Sequence, residues 1–268
     1  NRRVSVMRYF IYFAYNGTAY HGWQIQPNGI SVQEVFTNGL RTLLREETEV
    51  VAAGRTDTGV HAKQMVAHFD SGHADLAGGD YVRRLNSILP KDIAVDKIIA
   101  VTPDAHARFD AISRKYEYHL YIGKNVFKEN LALRMFHPLD FDLMNEAAQK
   151  LKDYTDFTSF SKLHTDVKTN NCVITEAVWQ QVGDEWVFTI EADRFLRNMV
   201  RSIVGTLFDV GMHKLSVADF CRIIEAKDRC KAGVSVPAHG LYLVEVRYAD
   251  ENIKKAENGE RKTESASK

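Results

Sequence analysis

The chain has 268 residues, 45% hydrophobic and 26% charged, an ordinary globular composition with room for one large domain or two smaller ones. Lys+Arg and Asp+Glu both number 35, so the net charge is zero, which counts mildly against a nucleic-acid partner, whose usual footprint is a basic excess. No apolar run approaches the ~20 residues of a membrane span, and no basic-then-apolar leader is present. The three cysteines, Cys172, Cys221 and Cys230, are scattered and lack CxxC spacing; they argue against a disulfide framework or a zinc site and fit a reducing cytoplasm. Cys172 is read as a surface position.

Residues 1–6 precede the first apolar run and are expected to fray. Residues 7–15 alternate and are aromatic-rich, which predicts a strand. Ser31 and Glu34 form a capping-box pattern, and Val32, Val35, Phe36, Leu40, Leu43 and Leu44 follow at helical spacing. Short strands are predicted at 50–53 and 65–70, a helix at 80–89 stopped by Pro90, and a strand at 93–101. That order is the β-α-β-β-α-β of ferredoxin-like domains. The second half repeats it in architecture, without sequence self-similarity: a strand at 115–122, a helix at 142–152, and a hairpin of 171–182 and 185–192 around Gly183-Asp184. A long helix at 194–210 with Gly211 as its C-cap, a helix at 216–227 and a strand at 241–248 complete it. The expected fold is therefore α+β, two ferredoxin-like halves (7–105 and 106–248) sharing a mostly antiparallel sheet, with helices on one face and a catalytic cleft between the halves. Residues 249–268 have almost no apolar content and are expected to form a disordered tail.

Three constellations could carry chemistry. The first is "AGRTDTGVHA" (53–62), which sets Arg55, Asp57 and His61 in one turn between two predicted strands. An isolated Asp-x-Gly is usually turn chemistry, but Arg55 two residues earlier is unusual for a plain hairpin, and three polar groups in ten residues raise the odds of a site. The second is the helix at 194–210. Arg194, Arg197 and Arg201 fall at i, i+3 and i+7 beside an apolar stripe; a solvated basic face explains Arg194 and Arg197 equally well, whereas Arg201 lies at the stripe edge, where it could reach a partly buried carboxylate. The third is "SRKYEYHLY", where Tyr116 and Tyr118 share a strand face; packing is the common use of such tyrosines, base stacking or proton transfer the functional one. The ten histidines show no metal-ligand spacing, and no GxxxxGK[ST], GxGxxG or GxSxG motif occurs, so neither a metal nor a nucleotide cofactor is signalled.

From 7 to 248 the chain resembles the tRNA pseudouridine synthase A family. The resemblance rests on "GRTDTGVHA", "YNGTAYHGWQIQP", "ARFDAISRKYEYHLY", "FSK", "FLRNMVRSIVGTL" and "GLYLVEVRY" taken in order. It implies an isomerase that converts uridine to pseudouridine in the anticodon stem-loop of tRNA, in the cytoplasm, as a homodimer, with no cofactor, metal or membrane. It implies that Asp57 is the catalytic aspartate, that Arg55 replaces the flipped base in the stack, that Tyr116 stacks on the uracil and that Arg201 pairs with the aspartate. Arg194 and Arg197 are expected to contribute to substrate binding. A neutral chain that binds tRNA should segregate its charges, with Arg55, Arg83, Arg84, Arg108, Lys115, Arg194, Arg197 and Lys214 near the cleft. The alternative is a non-catalytic RNA-binding protein, which would not need the carboxylate.

Overall fold

A computed structural model describes residues 5–162 and 168–250. The expectations for residues 1–4 and for the tail from 251 onward lie outside them. The chain divides into two compact units: one runs up to Ile112 and includes the segment from Glu245 onward, the other is Ser113–Val244.

In the first unit, β1 (Met7–Tyr15) is central, antiparallel to both β3 (His61–Ser71) and β4 (Ile93–Ala100). The short strand β2 (Val51–Ala52) pairs with β3, Val51 opposite His68 and Ala52 opposite Ala67. Helix α1 (Val32–Leu44) starts where the capping pattern places it: the Ser31 hydroxyl accepts from the Glu34 N–H at 3.2 Å. Its buried stripe of Val32, Phe36, Leu40 and Leu44 covers the sheet, with Phe36 stacked on Phe13 at 4.2 Å. Helix α2 (Asp80–Ile88) lies close against α1, because a Cβ on Gly39 would stand only 2.8 Å from Leu89. The end of β9 (Leu241–Tyr248) completes this unit, where the Val246 N–H donates to Gln64 Oε1 at 2.9 Å.

In the second unit, β5 (Ala111–Ile122) is antiparallel to β8 (Glu185–Ala192), and β8 to β7 (Ile174–Val182). Helices α3 (Phe141–Lys150), α4 (Met199–Gly211) and α5 (Val217–Ala226) pack together. Trp179 on β7 is the hub, with Phe141, Phe188 and Phe208 around it, and Asn145 of α3 bonds both backbone groups of Trp179. The capping box at α5 is complete, with Ser216 and Asp219 bonding reciprocally.

The mixed α+β, mostly antiparallel architecture agrees with expectation. Three details differ. The predicted helix at 194–210 begins only at Met199: Asn198 sits in the left-handed region at φ 65, and Arg194 is drawn off any helix by the Thr169 and Asn171 carbonyls, so Arg194, Arg197 and Arg201 do not share a helix side. A three-residue strand, β6 (Leu133–Met135), runs parallel to β5 and has no sequence signal. Cys172, expected at the surface, is buried against the Met199 sulfur, and burial pushes its thiol pKa up to about 12.

Candidate active-site loop and its relatives

Residues 53–60 link β2 to β3. Their backbone is fixed from one side by residues 15–23. The Trp23 N–H donates to the Thr56 carbonyl at 3.2 Å, and the Tyr15 and Thr56 hydroxyls bond at 2.7 Å. The Gly59 N–H donates to the Tyr20 carbonyl. Two glycines make this approach feasible: a Cβ on Gly17 would lie 1.9 Å from the Val60 carbonyl oxygen, and one on Gly22 2.4 Å from that of Thr56. The buried His61 ring accepts from the Gly17 N–H at 2.9 Å through Nδ1, which places its ring proton on Nε2.

Side chains alternate along the loop. Thr56 is buried in the cradle, Arg55 is exposed and Asp57 is half-buried. The Val60 N–H closes the turn on the Asp57 carbonyl at 3.0 Å, and Gly59 supplies its φ of 82°. The Asp57 backbone thus closes the turn, while its side chain is half-buried. "YNGTAYHGWQIQP" and "GRTDTGVHA", distant in sequence, are one structure.

In the second unit, Tyr116 lies on β5 opposite Ile190, half-buried, with Phe195 edge-on at 5.0 Å. Two residues along, Tyr118 is fully buried and donates to the Pro237 carbonyl at 2.7 Å; burial raises its pKa far above the tyrosine range, against a lowering by the nearby Arg201 charge. Arg201, half-buried on α4, donates through Nε to the Val236 carbonyl at 2.9 Å, and the Val236 N–H returns a bond to the Arg201 carbonyl. Segment 232–237 therefore holds both Tyr118 and Arg201. It is pinned by Arg229, bonded to the Gly233 carbonyl and Ser235 Oγ, by Asn198 on Ser235, and by a close approach to Gly205. Sequence reasoning missed this strap, because nothing in "CKAGVSVPAHG" carries a periodic or motif signal.

The loop gathers Arg55 and Asp57 in the first unit, whereas Tyr116 and Arg201 belong to the second. Arg194 donates through Nη1 to the Thr169 and Asn171 carbonyls, and Arg197 is exposed. Of the basic residues expected near a cleft, Arg83 pairs with Asp80 and Lys115 lies between Glu176 and Glu191. Among the described residues no cluster of three or more His, Cys, Asp or Glu side chains is placed to hold a metal, and no helix is long and apolar enough to cross a membrane.

One braced loop thus carries an exposed arginine, Arg55, and a half-buried carboxylate, Asp57. A sequence model of the tRNA pseudouridine synthase family matches residues 11–110 and 147–249. The chain is 59% identical to the tRNA pseudouridine synthase A of Bacteroides fragilis, over 92% of this chain and 99% of that one. It is 58% identical to the Parabacteroides distasonis protein of that name (91% and 97% covered) and 40% to that of Bacillus licheniformis (90% and 99%). A solved dye-decolorizing protein from V. cholerae, 11% identical, aligns over 78% of this chain and 88% of its own at a TM-score of 0.23, which carries no argument. The chain belongs to the tRNA pseudouridine synthase family.

Proposed function

We propose that the chain isomerises uridine to pseudouridine in the anticodon stem-loop of tRNA, with Asp57 as the catalytic carboxylate. The observation that carries the reading is the braced loop: Tyr20 and Trp23 hold its backbone, the Tyr15 hydroxyl holds that of Thr56, and Asp57 between them is half-buried. The relatives named above support the reaction. The C1′–N1 bond of the nucleoside breaks, the uracil turns over, and C5 bonds to C1′; the C5 proton is lost and N1 gains one, so the product is an isomer. An ionised aspartate serves either covalent attack or removal of a ribose proton. A base in a stem must first leave the stack, at a cost of a few kcal/mol, and the exposed Arg55 is suited to fill the gap. Tyr116 offers its ring face to the uracil, and Arg201 offsets the aspartate charge. Arg194 and Arg197 contribute to tRNA binding. The enzyme acts in the cytoplasm as a homodimer.

The test is Asp57→Asn, assayed for pseudouridine in tRNA and for tRNA binding. Loss of product with binding retained is the expected result. Undiminished product overturns the role of Asp57, and tRNA binding without product in the unmodified protein favours the alternative of a non-catalytic RNA-binding protein.

A further inference from the structure

The loop at 105–110 carries Phe109, whose side chain is 75% exposed, yet its surroundings are fixed. The Ala107 N–H donates to Nδ1 of the buried His68 at 3.0 Å, and the Ala107 carbonyl accepts from the Tyr248 hydroxyl. Nδ1 of His106 accepts from the Arg108 and Phe109 N–H groups, both at 3.1 Å, while the His106 N–H donates to Asp110 Oδ2 at 2.7 Å. Arg8, paired with Asp70, donates to the Ala105 carbonyl at 2.9 Å. A large apolar ring is thus held in water by a backbone bonded at nearly every residue.

The rings form a column that runs outward. His68 is innermost and buried; His106 meets it edge-on at 4.5 Å; Phe109 lies flat on His106 at 4.1 Å and 24°. Burial and the Arg8 charge lower the pKa of both histidines. The column's outer member stays largely exposed to water, with the Arg108 guanidinium lying over the ring at 5.7 Å from its centroid. A largely exposed aromatic ring with a mobile-stemmed guanidinium over it suits a base, which can stack where the guanidinium swings to the phosphate.

We propose that Phe109 is a stacking platform for an unpaired nucleobase of the bound tRNA, separate from the uridine that reacts. The proposal rests on the tRNA reading above. Because the loop is already fixed, little entropy is lost when the base docks, and stacking tolerates any base identity. The platform would add affinity equally to the ground and transition states.

Phe109→Ala, Phe109→Leu and Phe109→Trp in the full chain test this, by tRNA titration and by steady-state pseudouridine formation. Phe109→Ala should weaken tRNA binding about tenfold and raise KM with kcat unchanged. Phe109→Leu, apolar but without a π face, should lose nearly as much. Phe109→Trp should keep affinity, and its added indole emission should be quenched by tRNA. Wild-type affinity in both the Ala and Leu variants overturns the proposal, as does an unquenched indole. A change in solution mass on Phe109→Ala with unchanged tRNA affinity also overturns it, by assigning the ring to self-association. Failure of the isomerase reading is distinguishable: tRNA binding would still depend on Phe109 while the unmodified protein made no pseudouridine.

Discussion

Gly22→Ala isolates what the brace contributes to the active-site loop. Gly22 has φ of +75°, where an alanine costs roughly 1–2 kcal/mol. Its new Cβ would stand 2.4 Å from the Thr56 carbonyl oxygen, whereas ordinary contact begins near 3.4 Å. The contact is backbone to backbone, so the Thr56 peptide must retreat by about 1 Å, on the scale of misplacement that costs about 10²-fold in rate. That peptide joins Thr56 to Asp57 and also accepts from the Trp23 N–H. The expected outcome is a kcat for pseudouridine formation lowered about 10²-fold and a stability loss of about 2–3 kcal/mol in urea unfolding, as the αL cost adds to a weakened hydrogen bond. Gly22→Asn separates the two effects. Asparagine tolerates the left-handed region but carries the same Cβ, so part of the stability should return and the rate should not. A kcat within twofold of wild type in both variants would refute the argument that the brace sets the position of Asp57.

His68 and Arg229 supply two more expectations. The His68 pKa is held at about 4 against an ordinary 6.5, first by burial and then by the Arg8 charge. Below pH 6.5 the unfolded chain binds a proton that the folded one does not, so this contribution is complete above pH 6.5 and is lost as pH falls toward 4, by up to about 3 kcal/mol. His68→Asn can still accept from Ala107 but does not titrate, so its unfolding free energy should fall less steeply between pH 6.5 and 4; equal slopes would contradict the assignment. Arg229→Ala removes both guanidinium bonds to the strap that holds Arg201, and kcat should fall about tenfold with little change in KM, as expected when about 1.4 kcal/mol of transition-state positioning is lost. A rise in KM alone would deny the strap a positioning role.

The bounds of β1 and β9 were legible because each is a strand with strong aromatic and β-branched content, and the start of α1 because Ser31 and Glu34 mark it locally. Strand β6 was not, since three residues hold no period and form a strand only by pairing with Leu120, Tyr121 and Ile122. The early start assigned to α4 has a different cause. Leu196 stands at helical spacing from Met199, the first residue of α4, so the hydrophobic pattern runs smoothly back into residues that are not helical. Both are buried all the same. What stops the helix is tertiary: Arg194 is drawn to the Thr169 and Asn171 carbonyls, and the Lys162 N–H takes the Arg197 carbonyl that a longer helix would have used. Periodicity reports which residues are buried; it does not report which backbone carbonyls are already claimed.

The same distinction governs the site. Asp57 and Arg55 could be singled out because two charges in a turn are unusual chemistry, visible without a partner. Gly17, Gly22 and Gly205 could not be assigned a purpose, because each is needed for the space it leaves to another segment's carbonyl oxygen, Val60, Thr56 and Val234 respectively. In both units the side chain proposed for chemistry is attached to backbone that a glycine lets another segment approach: the loop of Asp57 through Gly17 and Gly22, and the strap that bonds Arg201 through Gly205. A glycine in these motifs is thus a statement about the segment opposite it. Gly17 and Gly22 in "YNGTAYHGW" lie far in sequence from the loop they admit, and Gly205 in "RSIVGTL" lies far from the strap, although Arg201 opens that same string.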